Sequence, residues 1–418
     1  MAQSVRMAKD GILDHSPLLL TEGYLFIRNR CDKLQTDVFE SHLLGQKVIC
    51  MSSWEAVDLF YDREKFQRRG AAPKRIQKTL FGAKGVQTLD GPAHTQRKQL
   101  FMSLMTPRQL SRLAELTKRQ WISSTTQWAG KPAIILFDEV QELLCKTACT
   151  WADVPLMAEE AGRRADEMGK MVDAFGAIGP RHWQGRLARR RSEQWMEGIV
   201  QDIRRRIQAP ATDSAAQTIA AARDLQGHIL DAKIAAVELL NIIRPITAIA
   251  TYITFAALAI HEYPNCLDKL RTADDRYLNN FCQEVRRYYP FTPFVGARVR
   301  ETFTWHGLSF KQGTLVLLDI YGINHDPRLW KDPQSFRPER FAEQAGTSTL
   351  IPQGGGDPNQ GHRCAGEQVT LTVLKASIEF LINHLDYDVP TQDLTVNLKR
   401  IPTLPKSRFR IQNVNRTL

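Results

Sequence analysis

The sequence predicts a mainly α-helical protein with small β-sheets, folded as one unit over residues 1–418. Three observations predict this. Apolar residues recur at helical spacing through most of the chain, as in LSRLAELTKRQWISSTTQWA, DEVQELLCKTACTWADV and EQVTLTVLKASIEFLINHL. Strand and turn character is confined to residues 34–51 and 297–319, with Gly307 and Gly313 as turn punctuation in the second. No internal repeat or low-complexity linker divides the chain, so one extended core is expected.

The N-terminal stretch MAQSVRMAKDGILDHS has no apolar run of signal-peptide length. The longest apolar run, 245–260, holds three threonines and falls short of the ~20 residues a membrane span needs. A soluble, cytoplasmic protein with no membrane span is expected. Seven cysteines, an odd number with no CxxC pair, suggest neither a disulfide framework nor a zinc site. Cys145 and Cys149, four apart, read as core residues on one helix face. The net charge of +11 is densest in QGRLARRRSEQWMEGIVQDIRRRIQ. No nucleic-acid motif accompanies that charge, so the segment reads as a solvated helix face and no nucleic-acid partner is expected. HDPRLWKDPQSFRPERFAE, dense in proline and aromatic residues, reads as an ordered irregular loop.

The longest helical segment, about 229–262, contains an anomaly. Arg244 sits among Leu239, Leu240, Ile242, Ile243 and Ile246, with Pro245 directly after it. Proline gives no N–H to the carbonyl of Asn241, so a kink or opened turn is expected there. A guanidinium does not lose its proton and is costly to bury without an anion. Two partners fit: an acidic residue elsewhere in the chain, or a ligand carboxylate bound in an apolar pocket.

A second stretch carries chemistry: IPQGGGDPNQGHRCAGEQVTLTVLKASIEFLINHL. Cys364 stands on a glycine-rich loop at the start of a long helix, where backbone N–H groups and the helix dipole lower a thiol pKa. A nucleophile, a metal ligand and a structural cysteine all fit, and His362 is close enough to serve a nucleophile. Upstream lie Glu284 and Arg287 in QEVRRYYPF, then FRPERF at 336–341, then Cys364. In that order these motifs resemble the cytochrome P-450 superfamily of haem-thiolate enzymes, across essentially the whole chain.

The resemblance implies the cytochrome P-450 fold, haem b as cofactor and Cys364 as the thiolate ligand of its iron. It implies that Glu284, Arg287 and Arg340 form a salt-bridge network behind the cysteine loop. DGPAHTQRK resembles the helix over the haem edge, with His94 and Lys98 toward the propionates; Arg68, Tyr289 and Arg363 are further propionate candidates. The cysteine loop departs from the usual pattern, with Asp357 where a phenylalanine is usual and its glycines at 354–356 and 361. The central helix lacks the acid–alcohol pair that delivers protons in ordinary members, having Asn241 to Ile246 in that region.

That absence, together with SLMTP, PKRIQKTLFG, WADVPL, MVDAFGAIGPRHW, GINHDPRLW and IPQGGG, resembles the fatty-acid peroxygenase branch. The branch implies hydroxylation of long-chain fatty acids at the α or β carbon by hydrogen peroxide, without an obligatory redox partner. Arg244 would hold the substrate carboxylate, which serves as the acid–base group, and Pro245 would shape the gap above the haem. Phe81 and Phe291 resemble acyl-channel residues. Gln87 occupies a position where branch members carry Gln or His. Histidine there is associated with decarboxylation, so hydroxylation is expected, with terminal alkene a minor product. A redox-partner-dependent fatty-acid monooxygenase is the alternative reading.

Overall fold

Why a 31-residue helix with so apolar a middle belongs in this protein is answered by where it lies. In the computed structural model, Ala232–Glu262 runs through the middle of the fold, and 89% of its most apolar window is buried. It is therefore a core element, apolar on all sides because protein surrounds it. Asp231 caps its start, accepting from the backbone N–H of Lys233 at 2.9 Å. The helix continues through Pro245 to Ala248 and restarts as Ala250–Glu262. The opened turn comes at Ile249, whose N–H reaches back only three residues, to the carbonyl of Ile246 at 3.1 Å. The structure describes residues 7–11, 13–128, 130–206, 214–272, 274–343 and 349–417.

Helices Leu136–Ala152, Pro180–Arg206 and Glu367–Asn383 pack around this central pair. Their shared core holds Leu144, Leu239, Ile243, Phe255, Val373 and Leu374, each essentially without exposure. Each such side chain contributes roughly 1.5–3 kcal/mol by leaving water. Cys145 and Cys149 lie in this core, as their spacing predicts.

The main sheet has six strands in the order Ala8–Lys9, Val38–Leu43, Gln46–Met51, Leu315–Asp319, Phe294–Val299 and Phe66–Gln67. Val38 pairs with Met51 in an antiparallel hairpin, and Val48 pairs with Leu315 in parallel. The strand-rich segments were placed correctly by sequence, although residue 34 ends the helix Phe26–Leu34 and the later strand begins at Phe294. A second sheet, not expected from sequence, joins Leu385–Asp388, Arg410–Arg416 and Ala133–Ile135. The loop 325–343 is irregular as expected, save for a short helix at Arg340–Glu343.

One expectation fails in the arginine-rich helix Pro180–Arg206. Arg190 and Arg191 are exposed, but Arg189 is only 2% exposed. It points inward, where Nε pairs with Glu193 at 2.6 Å and Nη1 donates to the carbonyl of Leu80 at 2.8 Å.

Candidate active site

The cysteine loop is shaped by its glycines. Gly354 and Gly356 have φ of +95° and +77°, and the loop lies against Tyr61. A Cβ on Gly354 would stand 2.6 Å from the Tyr61 hydroxyl. Only glycine permits both the backbone angle and the approach. Behind the loop, Glu284 is completely buried and binds two arginines. Arg287 Nε and Nη2 lie 2.7 and 2.8 Å from its two oxygens, and Arg340 Nε lies 3.1 Å from one of them. The arginines also donate to carbonyls of Asn324, Pro333 and Ser335, and Asn324 Oδ1 accepts from Ile351 N–H at the head of the cysteine loop. The ExxR pair and the later arginine thus form the expected network, and it holds the loop.

Cys364 is half-buried and lies deep in the protein. The backbone N–H of Cys364 donates to the Gln353 carbonyl, and Gln353 Nε2 lies 3.5 Å from Sγ. Burial pushes the thiol above its ordinary value. The Gly366 N–H, the charge of Lys98 and Gln353 pull the other way without overcoming it. The expected lowering by the helix start is therefore present but outweighed by desolvation, and a bound cation is what would make the thiolate the stable form.

A cationic group gathers at the edge helix, Gly91–Ser103. Lys98 Nζ donates to the Arg363 carbonyl, and the His94 and His362 rings lie against each other, tilted by 30°, with centroids 3.9 Å apart. His362 Nε2 lies 3.5 Å from Asp90, which also accepts from the backbone N–H of Arg68 at 2.8 Å. The Arg68 guanidinium lies 4.4 Å over the Phe60 ring. Burial lowers His94 to about 3 and His362 to about 4, so both rings are neutral at pH 7. Arg68 and Lys98 have no carboxylate ion pair among the described residues. The sequence did not single out Tyr61 or Gln353 as members of this site, and a sequence with no spatial information offers no signal for them; His362, read there only as a neighbour that could serve a nucleophilic Cys364, faces Asp90 and His94 instead.

Tyr289 is the propionate candidate that the structure does not bring here. Its ring stacks on Phe255 at 4.5 Å and packs beside Tyr288 and Phe336, because it follows the last turn of Asp275–Tyr288 and folds back onto the central helix. The neighbouring residue in sequence that does belong is Arg286, which bonds Gln353 Oε1 at 3.0 Å and pairs with Glu367; Glu367 in turn accepts from Arg363 at 2.7 Å.

Arg244 is 7% exposed, and no hydrogen bond or ion pair reaches it among the described residues; its Nε is buried without a partner. Burial, aided by the like charge of Arg189, lowers its guanidinium to about 9, while the charge of Cys364 acts in the opposite sense. One turn earlier, Asn241 Nδ2 lies 3.2 Å from the carbonyl of Phe81 and 3.3 Å from Gln87 Oε1. Phe81 and Gln87 are therefore brought to the helix that carries Arg244. Phe291 stacks on Tyr252 of the central helix at 4.6 Å, with its carbonyl accepting from Tyr24.

These residues fit a haem: one enclosed sulfur, and near it a buried lysine and a half-buried arginine, Lys98 and Arg68, without a carboxylate ion pair. A groove of about 680 Å³ lined by Lys118, Arg271, Asp274 and Glu379 contains none of them and is not part of the site.

The profile of the cytochrome P450 family matches residues 260–411. Among curated proteins, the chain is 32% identical over 136 residues to cytochrome P450 4e5, mitochondrial, of Drosophila mettleri, and 34% identical over 104 residues to cytochrome P450 4A11 of Homo sapiens. Those matches cover 31% and 24% of this chain, and only 25% and 19% of the relatives' lengths. Solved structures match throughout. Cytochrome P450EX alpha (CYP152N1) with myristic acid superposes with a TM-score of 0.95 at 44% identity, over 99% of this chain and 100% of that one. Cytochrome P450SP alpha (CYP152B1) in complex with (R)-ibuprophen gives 0.93 at 45% identity, over 96% and 99%. Ligand-free cytochrome P450 OleT gives 0.95 at 37% identity, over 99% of each chain.

Proposed function

The chain belongs to the cytochrome P450 family, and on that premise we propose that it hydroxylates long-chain fatty acids at the α or β carbon with hydrogen peroxide, in the cytoplasm and without a redox partner. The observation that carries this reading is Arg244: a buried guanidinium with no anion of its own. Similarity to a structure solved with myristic acid supports a fatty acid as the missing anion.

Cys364 would ligate the iron of haem b, with Arg68, His94, Lys98 and Arg363 toward its carboxylates; the bound group supplies oxidation of an unactivated C–H bond at the expense of peroxide. Arg244 binds the substrate carboxylate through its planar fork, which fixes orientation as well as position. Asn241 to Ile246 offer no acid–base side chain for moving protons within the peroxide, so the carboxylate held at Arg244 does that work. A positioned group of this kind contributes ~10²–10⁴-fold. Pro245 leaves the Asn241 carbonyl without its usual helical donor and shapes the backbone beside the anchored head group. Phe81 and Phe291 supply apolar wall that keeps water from the acyl chain. Gln87 has no titratable proton near pH 7, which favours hydroxylation, with alkene as a minor product.

The test is product analysis. Holoprotein with a saturated C14–C16 acid and dilute peroxide, with no reductase or nicotinamide cofactor, yields α- or β-hydroxy acid. Absence of product from protein with a full haem–thiolate spectrum would overturn the proposal. Turnover appearing only with a reductase would establish the redox-partner alternative.

A further inference from the structure

Beside Arg244 runs a buried polar chain that the substrate anchor does not use. Glu238 is fully buried, on the central helix two turns before Pro245. Arg97 of the edge helix places Nη1 2.5 Å from Glu238 Oε1. Glu238 Oε2 accepts from Asn241 Nδ2 at 3.1 Å. The same amide nitrogen lies 3.2 Å from the Phe81 carbonyl and 3.3 Å from Gln87 Oε1. The turn is closed tightly at this point: a Cβ on Gly85 would stand 2.8 Å from the Phe81 carbonyl, 3.0 Å from Asn241 Nδ2 and 3.1 Å from Gln87 Oε1. One carboxylate thus joins three elements: the edge helix, the helix carrying Arg244, and the turn from which Phe81 and Gln87 hang.

A buried ion pair is a poor way to gain stability, since apolar side chains of similar volume often serve the fold equally well. What hydrogen-bonded charges give is geometric definition. The Asn241 amide nitrogen has two hydrogens, and Glu238, the strongest acceptor near it, fixes the plane in which they point. That plane sets where the turn meets the helix.

We infer that Glu238 is a positioning residue for regioselectivity: through Asn241 and the backbone N–H of Val86 it holds the Phe81–Gln87 turn in place relative to Arg244, and so decides which carbon of the anchored acid faces the oxidant. This rests on the fatty-acid hydroxylase reading above. With the carboxylate fixed at Arg244, α and β carbons are neighbours along the chain, and displacements of ~1 Å in a reacting complex have large consequences.

The test uses holoprotein carrying Glu238→Gln, Glu238→Leu, Asn241→Leu, or the last two combined. Myristic acid and peroxide are supplied, and the α:β product ratio is measured with haem content and the Kd for the acid. Glu238→Gln retains an oxygen acceptor for Asn241 and should keep the wild-type ratio. Glu238→Leu and Asn241→Leu should each shift the ratio in the same direction by about fivefold or more, and the double variant no further, as expected of residues acting in one chain. Haem content and Kd should hold, because Cys364 and Arg244 are intact. An unchanged ratio in Glu238→Leu, or additive shifts in the double variant, would overturn the inference. If Glu238→Leu loses haem, Arg97→Leu with Glu238→Leu removes both charges together, and the same criterion applies. Hydroxy acid from wild type with unaltered ratios in the variants defeats this inference alone. No hydroxy acid from wild type defeats the functional reading beneath it.

Discussion

Replacing Arg244 by leucine separates what this side chain does to the fold from what it does for a substrate. The guanidinium is buried, unpaired and opposed by the like charge of another buried arginine, Arg189. Its fall from 12.5 to about 9 corresponds to roughly 5 kcal/mol of disfavoured charge. Leucine removes that penalty and keeps apolar volume. Exchanging buried charge for apolar packing has stabilised other proteins by ~1–4 kcal/mol. At about 2 °C per kcal/mol for a large domain, ligand-free Arg244→Leu holoprotein should melt ~2–8 °C above wild type. A C14 acid at about 100 times its Kd should stabilise wild type by ~2.7 kcal/mol and leave the variant where it was. Differential scanning calorimetry with and without the acid reads both effects, and kcat/KM for hydroxylation should fall at least ~10²-fold. A variant that melts several degrees below wild type with full haem would show that Arg244 is satisfied inside the protein. Undiminished turnover would refute the anchoring role directly.

Other perturbations follow from the same buried groups. Asp319 is fully enclosed and pushed up to about 7 by burial, against the Gly322 N–H at 2.8 Å and the Ser52 hydroxyl at 3.0 Å. The folded chain keeps a proton that the unfolded chain releases above 3.8, so this group costs stability increasingly as pH rises from 4 to 7. Asp319→Asn should match wild type in Tm at pH 4 and exceed it by several degrees at pH 8; an equal offset at both would refute the assignment. Glu284→Leu strands Arg287 and Arg340 and should cost ~3–5 kcal/mol, seen as a lower Tm and lost haem, whereas retention of both would mean the backbone carbonyls alone satisfy the arginines. Gln353→Leu removes the amide beside the Cys364 sulfur, so the bound iron should become harder to reduce in a spectroelectrochemical titration. An unchanged potential would show that this amide does not donate to the ligand.

The helical core, the strand-rich segments and the cysteine loop were legible because each rests on local pattern: apolar spacing, turn residues, and glycines where the backbone demands them. The sheet built from Ala133–Ile135, Leu385–Asp388 and Arg410–Arg416 was not, since its strands are short and meet across most of the chain length. Tyr289 was misplaced for a related reason. Its neighbour Arg286 reaches the cysteine loop from the last helical turn, while Tyr289, just past the end of the helix, turns toward Phe255. Sequence adjacency to the right motif says nothing about direction. Arg189 shows the same limit more sharply, because hydropathy assigns every arginine in RLARRR to water, and only packing reveals the one turned inward.

Charge accounting explains why Arg244 was nonetheless legible. Nine arginines and lysines are buried among the described residues. Seven have a carboxylate from the chain: Arg30 with Asp10, Arg97 with Glu238, Arg164 with Glu167, Arg189 with Glu193, Arg286 with Glu367, and Arg287 and Arg340 with Glu284. Lys98 and Arg244 have none. Burial without an anion is expensive for any fold, so a cation kept in that state would be completed by an anion from outside, as the proposed function requires. Lys98 stands beside Arg363, near the paired rings of His94 and His362, where a cofactor carboxylate would complete it. Arg244 stands on the helix that brings Phe81 and Gln87 to it, where the carboxylate of an apolar chain would do so. Its signal survived in one dimension because its own helix supplies no acidic neighbour closer than Glu238, and Arg97 already holds that residue.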